Sequence, residues 1–140
     1  MELSIPELLI RDGFLTKADQ LNIEDFSRRS GLSYLKIALN FGYISRKNYE
    51  RSLNSEGYVF GKEVRKEAHD RAVLDKIELK FADEHLALPL RIENNRVVTL
   101  MANPGDELFI DFVRFTYDLE PEIILASDLD ITWLSHLLLG

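Results

Sequence analysis

The chain has 140 residues, 46% of them apolar and 29% charged, a size and mixture that suit one domain or two small subdomains and exclude a disordered chain. There is no cysteine, which excludes disulfides and thiolate metal sites and fits a reducing, cytosolic compartment. The net charge of −7 is uneven: residues 1–71 hold 12 Lys or Arg against 11 Asp or Glu, whereas residues 72–140 hold 5 against 13. So acidic a second half repels nucleic acid and anionic lipid, and it confines any anionic ligand to the first half.

The opening residues lack the basic segment of an export signal, and no apolar run approaches the ~18 residues of a membrane span. A soluble, unexported protein without direct membrane insertion is expected. Two windows 29 residues apart then repeat one pattern, "ELLIRDGFLTKADQL" from Glu7 and "KIALNFGYISRKNYE" from Lys36. Each copy reads as helix, stop, helix. Gly13 and Gly42 suit the left-handed position that ends a helix, and Thr16 and Ser45 suit the cap of the next one. Between them, Phe14-Leu15 and Tyr43-Ile44 are placed to pin the two helices together. Helices are predicted near 4–12, 17–29, 33–41 and 46–56, forming a helical repeat subdomain over 1–57. Its expected core is Ile5, Leu8, Leu9, Leu21, Phe26, Leu35, Ala38, Leu39, Tyr49 and Leu53.

The charges alternating from Lys62 to Asp70 predict a solvated connector over 58–72, with a helix as one form it can take. The glycines there do not make a phosphate loop: Gly57 and Gly61 are separated by three residues instead of four, and Glu63 replaces the hydroxyl residue after Lys62. An α/β subdomain is expected over 73–140. Leu74, Ile77, Phe81 and Leu86 are spaced for a helix, and Leu88–Glu93 and Val97–Ala102 suit strands joined at Asn94-Asn95. Val98, Leu100 and Ala102 share one face of the second strand, and Asn103-Pro104-Gly105 stops it. Asp106 then caps a helix with an apolar stripe of Leu108, Phe109, Phe112, Val113 and Phe115. A third strand, "EIILA", follows Pro121, and Ser127 caps a last helix through Trp133 and Leu137. The predicted class is α+β: a small bundle of two helix-turn-helix hairpins, then an α-β-β-α-β-α unit with a three-stranded sheet.

With both halves laid out, the chain resembles the N-terminal domain of type II secretion and type IV pilus assembly ATPases, of MshEN-like type. The resemblance spans essentially all 140 residues and is carried by the paired repeats and by "HLALPLRIENNRVVTLMANPGD". It implies a domain without ATPase motifs of its own, docking to a protein partner: secretion or pilus machinery, or an attached ATPase or glycosyltransferase. It also implies a cytoplasmic place, at the inner-membrane face where a partner brings it there. In some members of that family the paired repeats bind cyclic-di-GMP. Carried over, that site would comprise Leu9, Ile10, Gly13, Phe14, Leu15, Leu39, Gly42, Tyr43 and Ile44, with Arg28 and Arg29 as the nearest substitute cations.

The sequence departs from the ligand-binding pattern at the arginine and glutamine positions. Arg-Leu-Gly is replaced by Ser4-Ile5-Pro6 and Ser33-Tyr34-Leu35, and the glutamine positions fall on Arg28 and Glu56. Two absent guanidinium groups and an added carboxylate all disfavour a phosphate ligand. A docking domain without cofactor is therefore the primary expectation, with a cyclic-di-GMP sensor as the alternative. Catalysis is not expected. His69, His85 and His136 each have acids nearby in sequence, but none has the spacing of an assembled nucleophile, base or metal set.

Overall fold

A computed structural model describes residues 3–32 and 34–140, which form two compact units, 3–57 and 58–140. Unit 1 consists of α1 (Ile5–Arg11), α2 (Lys17–Ser30), α3 (Tyr34–Asn40) and α4 (Arg46–Ser55). Three of these helices begin on hydroxyl caps. Ser4 and Thr16 each form a reciprocal capping box, with Glu7 and Asp19, and the Ser45 hydroxyl accepts from the Asn48 amide. The core is Ile5, Leu8, Leu9, Leu15, Ile23, Leu35, Ile37, Ala38, Ile44, Tyr49 and Leu53.

Two expected core residues of this unit lie outside it: Leu21 is 60% exposed and Phe26 37%. The reason is the polar character of α2, whose sequence KADQLNIEDFSRRS buries Ile23 alone. Leu39 is half-buried.

Unit 2 is built on a three-stranded sheet in the order β1-β2-β3, comprising β1 (Ala87–Glu93), β2 (Arg96–Met101) and β3 (Pro121–Leu125). β1 and β2 are antiparallel, joined through Asn94 and Asn95 at φ 51° and 61°. That left-handed pair matches the twist of a tight hairpin, and asparagine tolerates it better than most residues. β2 and β3 are parallel and joined through α8 (Glu107–Tyr117). α9 (Asp128–Leu139) follows, capped by Ser127. β2 is covered on both faces, Val97 through Met101 all being buried, as suits a central strand with Val98 and Leu100 on one face and Val97 and Thr99 on the other.

The helix expected across Leu74–Leu86 is two helices, α6 (Arg71–Leu74) and α7 (Leu79–His85), with a turn between them. The Asp70 carboxylate caps the first. The expected stripe on α8 is also divided: Phe109 and Val113 are buried with Ile110, whereas Leu108 is 74% and Phe115 93% exposed. These five residues span too wide an arc of a helix for one neighbour to cover.

Residues 58–72 belong to unit 2, and most of 62–72 is exposed although its backbone is tied to the sheet. Val59 bridges Ala126 in parallel, its amide donating to the Leu125 carbonyl at 2.8 Å. α5 (Lys62–Arg65) buries Val64, and the Tyr58 hydroxyl donates to the Ala102 carbonyl at 2.8 Å. At the other edge of the sheet, a register shift between Pro89 and Arg91 leaves the Leu90 carbonyl to accept from the Asp70 amide. Arg91 completes the attachment through the Glu67 carboxylate and the Ala68 carbonyl, at 3.0 and 2.8 Å. Most of the strap's charges sit on exposed side chains, while Tyr58, Val64, the backbone hydrogen bonds of Val59 and Asp70 and the part-buried Glu67 hold the segment to the sheet.

Candidate functional site

The two repeat turns of unit 1 are closely alike. Gly13 and Gly42 have φ of 80° and 78°, and a Cβ at either would meet nothing within 4 Å. Glycine is therefore required by backbone conformation and not by a close neighbour. In the first turn the Phe14 and Leu15 amides donate to the Leu9 carbonyl at 2.9 and 3.3 Å. In the second, the Ile44 amide donates to the Ala38 carbonyl at 3.2 Å.

Of the residues named as ligand contacts, Leu9, Leu15 and Ile44 are buried; Ile10, Phe14, Leu39 and Tyr43 are half-buried; and Gly13, Gly42, Arg28 and Arg29 are exposed. Arg28 and Arg29 share one partner, the Asp25 carboxylate, at 3.2 and 3.0 Å. Arg29 and Tyr43 line a cleft of about 440 Å³ with Asn22, Asp25, Phe26, Ile37 and Phe41. Phe26 and Phe41 meet edge to face there, with ring centroids 5.4 Å apart. The first-repeat residues and Arg28 are not part of this lining.

Sequence reasoning missed the aromatic pair. The available signal was a break in the repeat, since Phe41 stands where the first copy has Asp12. An aromatic wall beside a carboxylate suits an apolar or cationic group better than a phosphate.

The substituted positions have local roles. Ser4 accepts from the Glu7 amide, and its own amide donates to the Glu7 carboxylate, holding that carboxyl below its usual range. Glu56 accepts from Arg11, which also binds Asp12. The Arg11 guanidinium is pushed up, first by Asp12 and then by Glu56. Ser33 lies outside the described residues.

In unit 2, Asp106 caps α8 by accepting from the Phe109 amide at 3.1 Å, and its second oxygen lies 2.7 Å from His85 Nδ1. This contact ties the end of α7 to the start of α8. His136 Nε2 lies 2.8 Å from Asp83 at the surface, and His69 is exposed. No hydroxyl nucleophile is hydrogen-bonded to any of these histidines among the described residues. Nor is there among them a group of three or more side chains suited to a metal, or a helix long and apolar enough to cross a membrane.

Residues 63–139 match the MshEN domain, and the chain belongs to that family. Among solved structures, the fold is similar to that of MshE with cdg, at 13% identity and a TM-score of 0.59, covering 96% of this chain and 98% of that one. It is also similar to the N-terminal domain of XpsE in two crystal forms, at 19% and 20% identity and TM-scores of 0.61 and 0.52. Those matches cover 97% of this chain in both cases, and 96% and 98% of the XpsE chains. No curated protein matches the chain in sequence.

Proposed function

We propose that this chain is a non-catalytic docking and regulatory domain of the secretion-ATPase N-terminal type, acting through protein contact. The helical repeat subdomain is 1–57 and the α/β subdomain 73–140, with the charged segment 58–72 grouped with the second of them. Its partners are secretion or pilus machinery, or an attached ATPase or glycosyltransferase, at the cytoplasmic side. The observation that carries a docking role over ligand sensing is the electrostatics of the repeats. Ser4 is turned into its own helix cap, Glu56 holds Arg11, and Arg28 and Arg29 both face Asp25.

One observation favours a second reading, a cyclic-di-GMP sensor: the fold match to MshE with cdg runs over 96% of the chain. Thermal unfolding with cyclic-di-GMP separates the two. A ligand at a hundredfold its Kd stabilises a native state by about 2.7 kcal/mol. No shift is expected at 0.1 mM ligand, on the order of a hundred times a micromolar Kd. A clear rise in Tm would establish the sensor, with Arg28, Arg29 and the two repeat turns as its site. Binding is expected to appear when Ser4 and Ser33 are changed to Arg and Glu56 to Gln. The docking half is tested by co-purification of the tagged chain with machinery from its own cell; recovery of the chain without any stoichiometric partner would count against it.

A further inference from the structure

We infer that the outer face of α8 is a docking seam for a basic amphipathic helix, an inference that names the partner surface of the docking reading above and rests on it. Leu108, Phe112 and Phe115 stand at i, i+4 and i+7, the spacing of a seam that receives another helix. Leu108 is 74% and Phe115 93% exposed, while Phe112 is half-buried against Phe81 and Phe109. From Leu108 to Phe115 the seam is about 10 Å long, two turns of a partner helix. The helix beneath it is firmly seated, with Phe109 and Val113 fully buried and Asp106 capping its start. The apolar side chains are thus presented on a rigid support, which lowers the ordering cost of binding. An almost fully exposed phenylalanine in such a setting is the kind of aromatic anchor that dominates small interfaces.

The charge around the seam selects the occupant. Residues 106–120 carry Asp106, Glu107, Asp111, Asp118 and Glu120 against Arg114 alone. That arginine is already engaged by Asp111 and Glu120, at 3.1 and 2.8 Å. Glu107 and Asp118 have no ion-pair partner among the described residues and lie on the same side of the helix as Asp111. The nearby cations are Lys76, over the Tyr117 ring at 5.8 Å, and Arg96, which lines a cleft with Arg114, Asp118 and Glu120 and leaves the face acidic on balance. A second copy meeting this face would bring one acidic rim against another, whereas a helix with lysine or arginine flanking a leucine seam matches both features.

The probe is a fluorescein-labelled 18-residue peptide with leucine at helical i, i+3/i+4 spacing and lysine elsewhere, titrated with the full chain by anisotropy. Saturable binding is expected, weakening as salt rises from 0.05 to 0.5 M, about a threefold shorter screening length. Phe115→Ser should weaken it by about tenfold or more, as loss of an interface anchor does. The neutralising pair Glu107→Gln and Asp118→Asn should weaken it at low salt only. All three positions are exposed, and unchanged thermal melts will show that the variants fold.

Equal binding of a glutamate-for-lysine peptide would overturn the proposal, because the face would then be merely sticky. Equal binding by Phe115→Ser, or none by the unmodified chain up to 0.5 mM, would overturn it too. A concentration-dependent dimer that Phe115→Ser dissolves would assign the face to a second copy instead. The docking reading fails separately, by the co-purification above. A cellular complex that survives Phe115→Ser would leave docking intact and place it on another surface.

Discussion

Two tyrosines show how a single hydroxyl can have opposite effects. Tyr117 donates to the Val73 carbonyl at 2.7 Å, whereas the buried Tyr34 hydroxyl has no hydrogen-bond partner among the described residues. Removing the donor at Tyr117 leaves the Val73 carbonyl only the longer bond from the Lys76 amide, at 3.3 Å, so Tyr117→Phe should cost about 1 kcal/mol in urea unfolding; Tyr34→Phe should cost nothing or stabilise slightly. Both phenols are pushed up to about 12, by burial in each case and at Tyr34 additionally by Glu24 and Asp19. The unfolded chain ionises its tyrosines near pH 10, so this contribution to stability is fully present below about pH 10 and is lost as pH rises towards 12. An absorbance titration at 295 nm should show Tyr34 and Tyr117 among the late-ionising tyrosines, each Phe variant removing one of that late group. At Gly42 the left-handed backbone is the whole constraint, since a Cβ there has open space around it. Gly42→Val should therefore destabilise by about 1–2 kcal/mol, and an unchanged Tm would mean that the helix stop is made another way.

At the scale of elements, most boundaries were legible because their signals are local. Thr16, Ser45, Asp106 and Ser127 cap helices by bonding to an amide three residues on, an interaction that needs nothing from the rest of the fold; Ser4 does the same, at a position expected inside the first helix. The Asn94-Asn95 turn was legible for the same reason, and it supplies a test. Asn95→Gly should be neutral or stabilise by a few tenths of a kcal/mol, whereas Asn95→Val should cost about 1–2 kcal/mol, measured by chemical denaturation. Which apolar residues are buried was less legible. Phe26, Leu108 and Phe115 carry the same hydrophobic signal as Phe109 and Val113, and only the position of a neighbouring element separates exposed from buried. The aromatic cleft of unit 1 escaped for that reason, because Phe26 and Phe41 come from different helical segments. The repeat turns of the candidate site were legible, being local; the partners of Arg11, Arg28 and Arg29 were not.

For the molecule as a whole, the boundary between units at Gly57–Tyr58 leads to a different cleavage pattern from that of a solvated connector. Asn54, Ser55, Glu56 and Gly57 are all exposed, whereas Val59 is hydrogen-bonded to the end of β3 and Asp70 to β1. Limited proteolysis should cut first near 54–57 and leave a resistant fragment beginning close to Tyr58. First cleavage within 62–70, with 73–140 surviving, would show that the segment is not held by the sheet. The α+β class, the paired hairpins, the strands, most of the caps and the family resemblance could all be read from the residues alone, because they rest on periodicity, turn chemistry and contacts a few residues apart. The attachment of residues 58–72 to both edges of the sheet, the covering of β2 on both faces and the outward direction of Leu108 and Phe115 emerge only from the packed fold. Each of these depends on which distant segment lies alongside, and hydrophobicity along the chain carries no record of direction towards a neighbour that arrives from thirty or more residues away.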